Sequence, residues 1–536
     1  MRLNKSSLKN ADFWEKVGVK VPKFDVEKTK ENTMKEPTWL HFGAGNIFRG
    51  FIAGLAQNLL EQELSNKGVI AAELFDYEII DRIFVPYDNL AIAVTLKNDG
   101  SMDKEIIASI TEALKANPAT KDWSRLTEIF QNPSLQVVSF TITEKGYNLK
   151  DAAGNFYKQV AEDMNNGPSK PQSSMGKVLA LLYERFRAGK YKLALLSLDN
   201  FARNGEKLFS SLREIAEGWV QKKLVEKEFL DYLSNEIAFP WSMIDKIVPG
   251  PSKIVEEHLK SLGIEGMEPI LTEKNTHIAP FVNMEETQYL LIEDMFPNGR
   301  PIFEKSGKNV FVTDRETVEK AERMKVTACL NPLHTAISIY GHLLGYKTIA
   351  ECMKDPLIFK LAKGVGEEGL VVTPDPGVIS PRKFLEEVLN QRLSNPHIPD
   401  TPQRILIDTS QKVPIRFGET IKSYATRKDL NPRQLRCIPL AIAGWLRYLM
   451  GIDDNGNPLT LSPDPLLDDL RKYVCKVSFG HPETVGDNLK DVLSNERLFA
   501  VNLYQVGIGE KIEEMFKSLI AGTGAVKATL EKYFGG

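Results

Sequence analysis

The chain has 536 residues, too many for one hydrophobic core, so two large domains are expected. Hydrophobic residues make up 42% and charged residues 26%, an ordinary globular balance, and 68 basic against 71 acidic residues leave a formal charge of -3. Without a block of like charge, a nucleic-acid or membrane-surface protein is not expected, and no apolar run of about 18 residues is present to span a bilayer.

The four cysteines (Cys329, Cys352, Cys437, Cys475) are far apart and form no CxxC pair, which reads as reduced thiols rather than a disulfide framework or a zinc cage. The opening MRLNKSSLKNADFW is polar and lacks an apolar signal core, so a cytoplasmic protein is expected. Residues 1–37, broken by Val-Pro and Glu-Pro, read as a leader wrapped on the surface. A β-rich run over 39–42 then enters Gly43-Ala44-Gly45, and an amphipathic helix follows with Phe51, Leu55 and Leu59 at i, i+4 and i+8. Strand, glycine turn and helix are the opening of a dinucleotide-binding unit. Gly43 would allow the tight turn, and Gly45 would let a pyrophosphate approach the helix N-terminus. The third glycine of that fingerprint is missing, and Phe48 stands in its place.

Further strands are predicted over 68–75, 90–96, 135–143 and 192–197, with a helix over 176–188 between the last two. Alternating strands and helices predict a largely parallel sheet with ligands beyond its carboxyl ends. Glu73 and Asp76 close the second strand, where an acidic side chain can accept from an adenosine ribose and repel a 2′-phosphate. Thr143, Glu144 and Asn200 also fall at strand ends. Residues 206–236 read as helical, and 239–249 is a Pro-bounded segment carrying Asp245. The texture changes after about 296, which sets the domains at 1–300 and 301–536. Helices are predicted over 316–325, 332–345, 347–362, 382–392, 432–450, 464–474, 486–494, 509–520 and 525–533. The stretch 394–417 is too rich in Pro, Asp and Ser to be regular, and it carries Arg404, Lys412 and Arg416.

The segment 325–346 brings Lys325, Asn331 and His334 together in sequence at a predicted helix start, with Asn331 as N-cap and Pro332 as the first helical residue. Lysine, asparagine and histidine all do proton-transfer and carbonyl-polarising work. A solvated lysine, a capping asparagine and a core histidine are an equal alternative on these residues alone. No HExxH is present, and His334 and His342 are too far apart to be paired zinc ligands one helical turn apart. No metal is expected.

Seven segments in order carry a resemblance: HFGAGNIFRGF (41–51), FTITEKGY (140–147), SLDNFARNG (197–205), PWSMIDKIVP (240–249), LNPLHTAISIYGHLLGY (330–346), RILIDTSQKVPIRF (404–417) and AGWLRYL (443–449). With these the chain resembles the polyol-specific long-chain dehydrogenases, the family of mannitol 2-dehydrogenase, fructuronate reductase and tagaturonate reductase. The resemblance implies an α/β protein with an N-terminal Rossmann-like domain on a mostly parallel sheet and a mainly α-helical C-terminal domain. It also implies metal-independent hydride transfer with NAD, or less readily NADP, and a monomer or small homo-oligomer acting on a sugar acid or polyol.

Carried over by position, Lys325 resembles the general acid/base and Glu322 its proton relay. Asn200 and Asn331 resemble the amides that hold the developing alkoxide. His334, Asp245, Arg404 and Lys412 resemble substrate-binding positions. The glycine turn with Gly43, Gly45, Asn46, Phe48 and Arg49, together with Glu73, Asp76, Thr143 and Glu144, is the expected cofactor contact. One departure stands out. Lys325 precedes Asn331 by six positions, where the family's pattern has five, and one extra residue on an unbroken helix turns a side chain by about 100°. A break or bulge near Pro332 is therefore expected. The basic residues Arg404, Lys412 and Arg416 favour a substrate carboxylate, hence D-fructuronate reduced to D-mannonate. Tagaturonate reductase and mannitol 2-dehydrogenase are the alternatives, and the off-pattern spacing leaves room for a sugar-binding relative without catalysis.

Overall fold

The computed structural model describes every residue except Ala152, Pro399 and Gly536. The chain forms two compact units, Met1–Glu319 and Lys320–Gly536. In the first, six short strands make one sheet: β1 (Trp39–Phe42), β2 (Val69–Glu73), β3 (Ile110–Lys115), β4 (Val137–Phe140), β5 (Leu193–Ser197) and β6 (Ile237–Ala238). The order across the sheet is β3-β2-β1-β4-β5-β6, and each pairing is parallel. Strand order reverses beside β1, so the loops after β1 and β4 part and leave a crevice at the carboxyl ends.

Apart from the edge strand β3, whose ITEALK is partly exposed, the strands are largely apolar because both faces are covered. Alternate residues of β1 serve two cores. Leu40 and Phe42 join Val138, Val178, Leu182 and Leu212 on one side, with α2 (Ser174–Gly189) and α3 (Asn204–Gln221). Trp39 joins Phe51, Leu55, Val137 and Ile244 on the other, beneath α1 (Ala53–Glu61).

Two sequence expectations are corrected here. The strand predicted over 90–96 forms as Ala91–Leu96 but lies outside the parallel sheet. It pairs antiparallel with Met102–Ile107 and parallel with Phe281–Glu285. The connection through Asp99 and Gly100 is too short for a parallel crossover, so the chain turns back on itself. The leader is not merely laid on the surface. Leu3 and Trp14 are fully buried, Trp14 Nε1 donates to the Ser7 carbonyl at 2.8 Å, and Val19–Lys20 pairs with Lys104 and Glu105. Beyond these, Ser242–Asp245 pairs antiparallel with Tyr289–Glu293, which pairs parallel with Val310–Thr313. This last strand, past residue 300, belongs to the first unit.

The division between units falls within α4 (Arg315–Met324). The second unit is helical. Its centre is α7 (Cys437–Leu449), buried at every position and packed on α8 (Gly509–Leu519). Beside it lie α5 (Asn331–Leu343) and α6 (Pro356–Leu370). Gly444 lets α7 approach α5, since a Cβ there would sit 2.6 Å from the Tyr340 ring, whose hydroxyl donates to the Leu440 carbonyl at 2.8 Å. The helix predicted over 347–362 is two helices, Ile349–Lys354 and α6, because Asp355 caps the second and Pro356 begins it. The stretch 394–417, expected to be irregular, contains the short helices Pro402–Leu406 and Thr409–Val413 and a π turn, Pro414–Gly418. Thr401 caps the first, so its Thr and Pro are helix-start chemistry rather than breakers. Among the described residues no helix is long and apolar enough to cross a membrane.

Candidate active site

At the carboxyl end of the parallel sheet a cavity of about 480 Å³ opens. Gly43 and Gly45 line it beside Glu73, Asp76, Thr141 and Thr143, with Phe75, Ile142, Leu149, Val160 and Met175 as an apolar wall. Gly43 has φ +105, and a Cβ there would lie 2.2 Å from the Thr141 carbonyl oxygen. Its amide donates to the Ala72 carbonyl at 2.9 Å, so the turn is pinned between β2 and β4. A Cβ on Gly45, by contrast, would meet nothing within 4 Å. The space in front of Gly45 is thus left open at a helix entrance, where first-turn N–H groups have no helical acceptor. An open space with free N–H groups beside an apolar wall is the chemistry that a pyrophosphate and an adenine ring require.

Glu73 is a clamp as well as a ribose candidate. Its Oε2 accepts from the Ala44 amide at 2.8 Å, and its Oε1 accepts from the Phe75 and Asp76 amides at 2.9 and 3.2 Å. Burial pushes this carboxyl up while the three N–H groups pull it down. Asp76 is tied elsewhere, with Oδ2 accepting from Thr272 Oγ1 at 2.6 Å. Thr143 holds φ +64, a strained conformation for a β-branched residue. Asp199 secures it, accepting from the Thr143 and Ile142 amides at 2.9 Å each and from the Tyr147 hydroxyl at 2.7 Å.

The remaining expected cofactor residues are not among those that line this cavity. Phe48 is fully buried and stacks on His41, with ring centres 4.5 Å apart. That packing explains the missing third glycine: the helix meets the sheet through an aromatic pair. Arg49 is buried, its Nη1 donating to the Ala279 carbonyl at 2.6 Å and its Nη2 to Asn46 Oδ1 at 2.8 Å. Asn46 also donates to the Pro249 carbonyl at 3.4 Å. Glu144 is exposed and outside the cavity lining.

In the second unit, α4 passes into a π turn, Lys325–Cys329, before α5 begins. The Leu330 amide donates to the Lys325 carbonyl at 3.2 Å, an i to i+5 bond that takes up one more residue than an α turn. Leu330 then breaks the helix with φ -130 and ψ -64. The six-residue spacing thus meets a local bulge, placed just before the Pro332 position. Asn331 is not the N-cap expected: Leu330 holds that position, and Asn331 is the first helical residue. Lys325 is fully buried, and Glu322 lies half-buried on α4 three residues earlier.

His334, on the first turn of α5, faces a carboxylate that sequence reading missed. Its Nε2 lies 3.1 Å from Asp400 Oδ2. Asp400 Oδ1 accepts from Arg404 Nε at 2.7 Å. Burial would raise the Asp400 carboxyl, but His334 and Arg404 outweigh it and hold it well below the usual carboxylate range. Burial lowers His334 against the pull of Asp400, with Arg416 and Arg404 adding to the lowering. Arg416 Nη1 donates to Thr335 Oγ1 at 2.6 Å, and burial brings its guanidinium down to about 10. Lys412 donates to the Ile405 carbonyl at 2.9 Å and to the Ile407 carbonyl. Burial and then Arg416 bring its amine down to about 8. Asp400, Arg404 and Arg416 thus act on His334, while Lys412 feels both arginines and the acids Asp408 and Asp464. Asn200 (exposed) and Asp245 (buried, on the strand Ser242–Asp245) belong to the first unit. Of the residues sequence reading missed, Asp199 had a signal, an acid at a strand end beside Asn200. Asp400 had none, lying in a Pro-rich stretch without periodicity.

Comparison with known proteins covers nearly the whole chain. Residues 37–305 match the mannitol dehydrogenase Rossmann domain, and 317–520 match the mannitol dehydrogenase C-terminal domain. A protein of Thermotoga maritima named D-mannonate oxidoreductase is 64% identical over 535 residues, covering 100% of this chain and 99% of that one. An Aspergillus clavatus mannitol 2-dehydrogenase is 29% identical, covering 94% of this chain and 93% of that one. The structure of Pseudomonas fluorescens mannitol 2-dehydrogenase in a ternary complex with NAD and D-mannitol is similar with a TM-score of 0.74 at 26% identity, covering 100% of both chains.

Proposed function

Because the chain belongs to the mannitol dehydrogenase family of oxidoreductases, we propose that it interconverts D-mannonate and D-fructuronate with NAD(H). The observation that carries the reading is the 64% identity, over the full chain, to a protein named D-mannonate oxidoreductase. The charge around His334 supports a carboxylate substrate. Arg404, Lys412 and Arg416 lie within electrostatic reach of one another near His334 and Asp400, and a substrate carboxylate can pair with them.

NAD, when bound, supplies the hydride acceptor for alcohol oxidation and, reduced, the donor for ketone reduction. The chain's own residues do the rest. Gly43 and Gly45 keep the turn low enough for a pyrophosphate, and Glu73 at the end of β2 favours NAD(H) over NADP(H) by repelling a 2′-phosphate. Lys325 takes the alcohol proton during oxidation and returns it during reduction. Its full burial is the setting in which a lysine can serve as general base. Asn331 donates an amide hydrogen to the reacting oxygen, which is worth most as that oxygen gains alkoxide charge. Glu322, one turn before Lys325, passes the proton onward. His334 holds a substrate hydroxyl, and Arg404, Lys412 and Arg416 hold the carboxylate.

The test is NADH oxidation with D-fructuronate, D-tagaturonate and D-fructose, for the native enzyme and for Lys325→Ala. Turnover of D-fructuronate ahead of the others, abolished by the substitution, supports the reading. Preference for D-fructose or D-tagaturonate rejects the substrate, and activity that survives the substitution rejects the acid/base role. No turnover with any of the three favours a binding protein.

A further inference from the structure

Asp400 has none of the roles above, yet it joins two of the residues that have them. It is 5% exposed and stands between two anchored backbone groups: its carbonyl accepts from the Ile349 amide at 3.0 Å, and its own amide donates to the Ile398 carbonyl at 2.8 Å. The carboxylate projects from that fixed point. One oxygen takes Arg404 Nε at 2.7 Å and the Thr401 amide at 2.9 Å. The other approaches His334 Nε2 at 3.1 Å, off the hydrogen-bond axis, and among the described residues neither of these buried atoms has another partner. His334 lies on the first turn of α5 and Arg404 on Pro402–Leu406, so one carboxylate spans two helices.

We propose that Asp400 is a positioning residue that sets His334 and Arg404 for substrate at the same time. On the arginine it occupies Nε, so the guanidinium offers its two terminal amino groups to a carboxylate as a fork. On the histidine it keeps the proton on Nε2, which leaves Nδ1 as the acceptor for a substrate hydroxyl. Asp400 also offsets the mutual repulsion of Arg404, Lys412 and Arg416, which would otherwise splay apart.

This inference rests on the sugar-acid reading, and the two fail separately. Native turnover tests that reading, whereas the variant-to-native ratio, measured on whichever substrate the native enzyme turns over, tests this one. The experiment is Asp400→Asn, which keeps the shape but removes the charge. The readouts are kcat, KM, NADH affinity by fluorescence, and Tm. The expected result is a KM raised about tenfold or more, with kcat changed less than about threefold and both NADH affinity and Tm retained. In an Arg404→Ala or His334→Ala background the same substitution should cost much less, because the partner it positions is already gone. Unchanged KM, or an equal penalty in every background, overturns the proposal. If Asp400→Asn does not fold, Asp400→Glu, which moves the charge by one methylene, must fold and raise KM. If both variants unfold, the residue is structural and the proposal falls.

Discussion

Replacing Gly45 by alanine separates a cofactor turn from a merely tight turn, with Gly43→Ala as its counterpart. At Gly43 the new Cβ would sit 2.2 Å from a carbonyl held in the sheet, on a backbone with φ +105. Left-handed strain costs about 1–2 kcal/mol and overpacking about 1–3 kcal/mol, together about 2–5 kcal/mol. At about 2 °C per kcal/mol for a unit of this size, Tm should fall by about 4–10 °C. At Gly45 nothing lies within 4 Å, so alanine should change stability by less than about 1 kcal/mol. Yet the methyl would occupy the space in which a pyrophosphate must lie, and NADH affinity should fall at least tenfold, about 1.4 kcal/mol. Fluorescence titration with NADH and a thermal scan read both variants. Gly45→Ala that binds NADH like the native chain refutes the placement of the cofactor, and Gly43→Ala with native Tm refutes the account of the turn.

Other outcomes follow from single side chains. Lys325→Ala should lower kcat by about 10²–10⁴ while leaving NADH titration unchanged, and near-native kcat would remove the general base. Lys412, with its amine brought down to about 8, is protonated at pH 7 and loses its charge as pH rises through 8. KM for a uronate should therefore climb between pH 7 and 9 in the native enzyme and stay flatter in Lys412→Gln. Between pH 8 and the unfolded value of 10.5 the unfolded chain binds more protons at this group, so its share of stability rises with pH there. His41, buried between Ser139 Oγ and Thr141 Oγ1, is pushed down to about 3. As pH falls from the ordinary value of 6.5 toward 3 the unfolded chain takes a proton that the folded chain refuses, so stability drops by up to about 1.4 kcal/mol per pH unit. A His41→Gln variant should lose less stability than the native chain over that range, and parallel acid-denaturation curves would contradict this.

The glycine turn was legible because its chemistry is local: apolar run, Gly-Ala-Gly, then helical spacing. The parallel sheet was legible from alternation of strands and helices, but the hairpin over 91–107 was not, since a strand's partner is set by the length of its connection and the surface it must cover. Phe48 illustrates a further limit. In sequence it is a flaw in the fingerprint, and only its stacking on His41 shows an alternative way to join helix to sheet. The spacing of Lys325 and Asn331 predicted a bulge, which the π turn supplies, but Leu330 and not Asn331 holds the cap position. Asp400 was hidden because its partners come from two helices, and such convergence leaves no period in the sequence.

The substrate proposed for this family member is a sugar acid rather than a neutral polyol. Initial rates of NAD reduction with D-mannonate and with D-mannitol, taken to saturation side by side, test it most directly. The expected kcat/KM for D-mannonate is at least about tenfold higher, carried mainly by KM. Equal or greater efficiency with D-mannitol would contradict it.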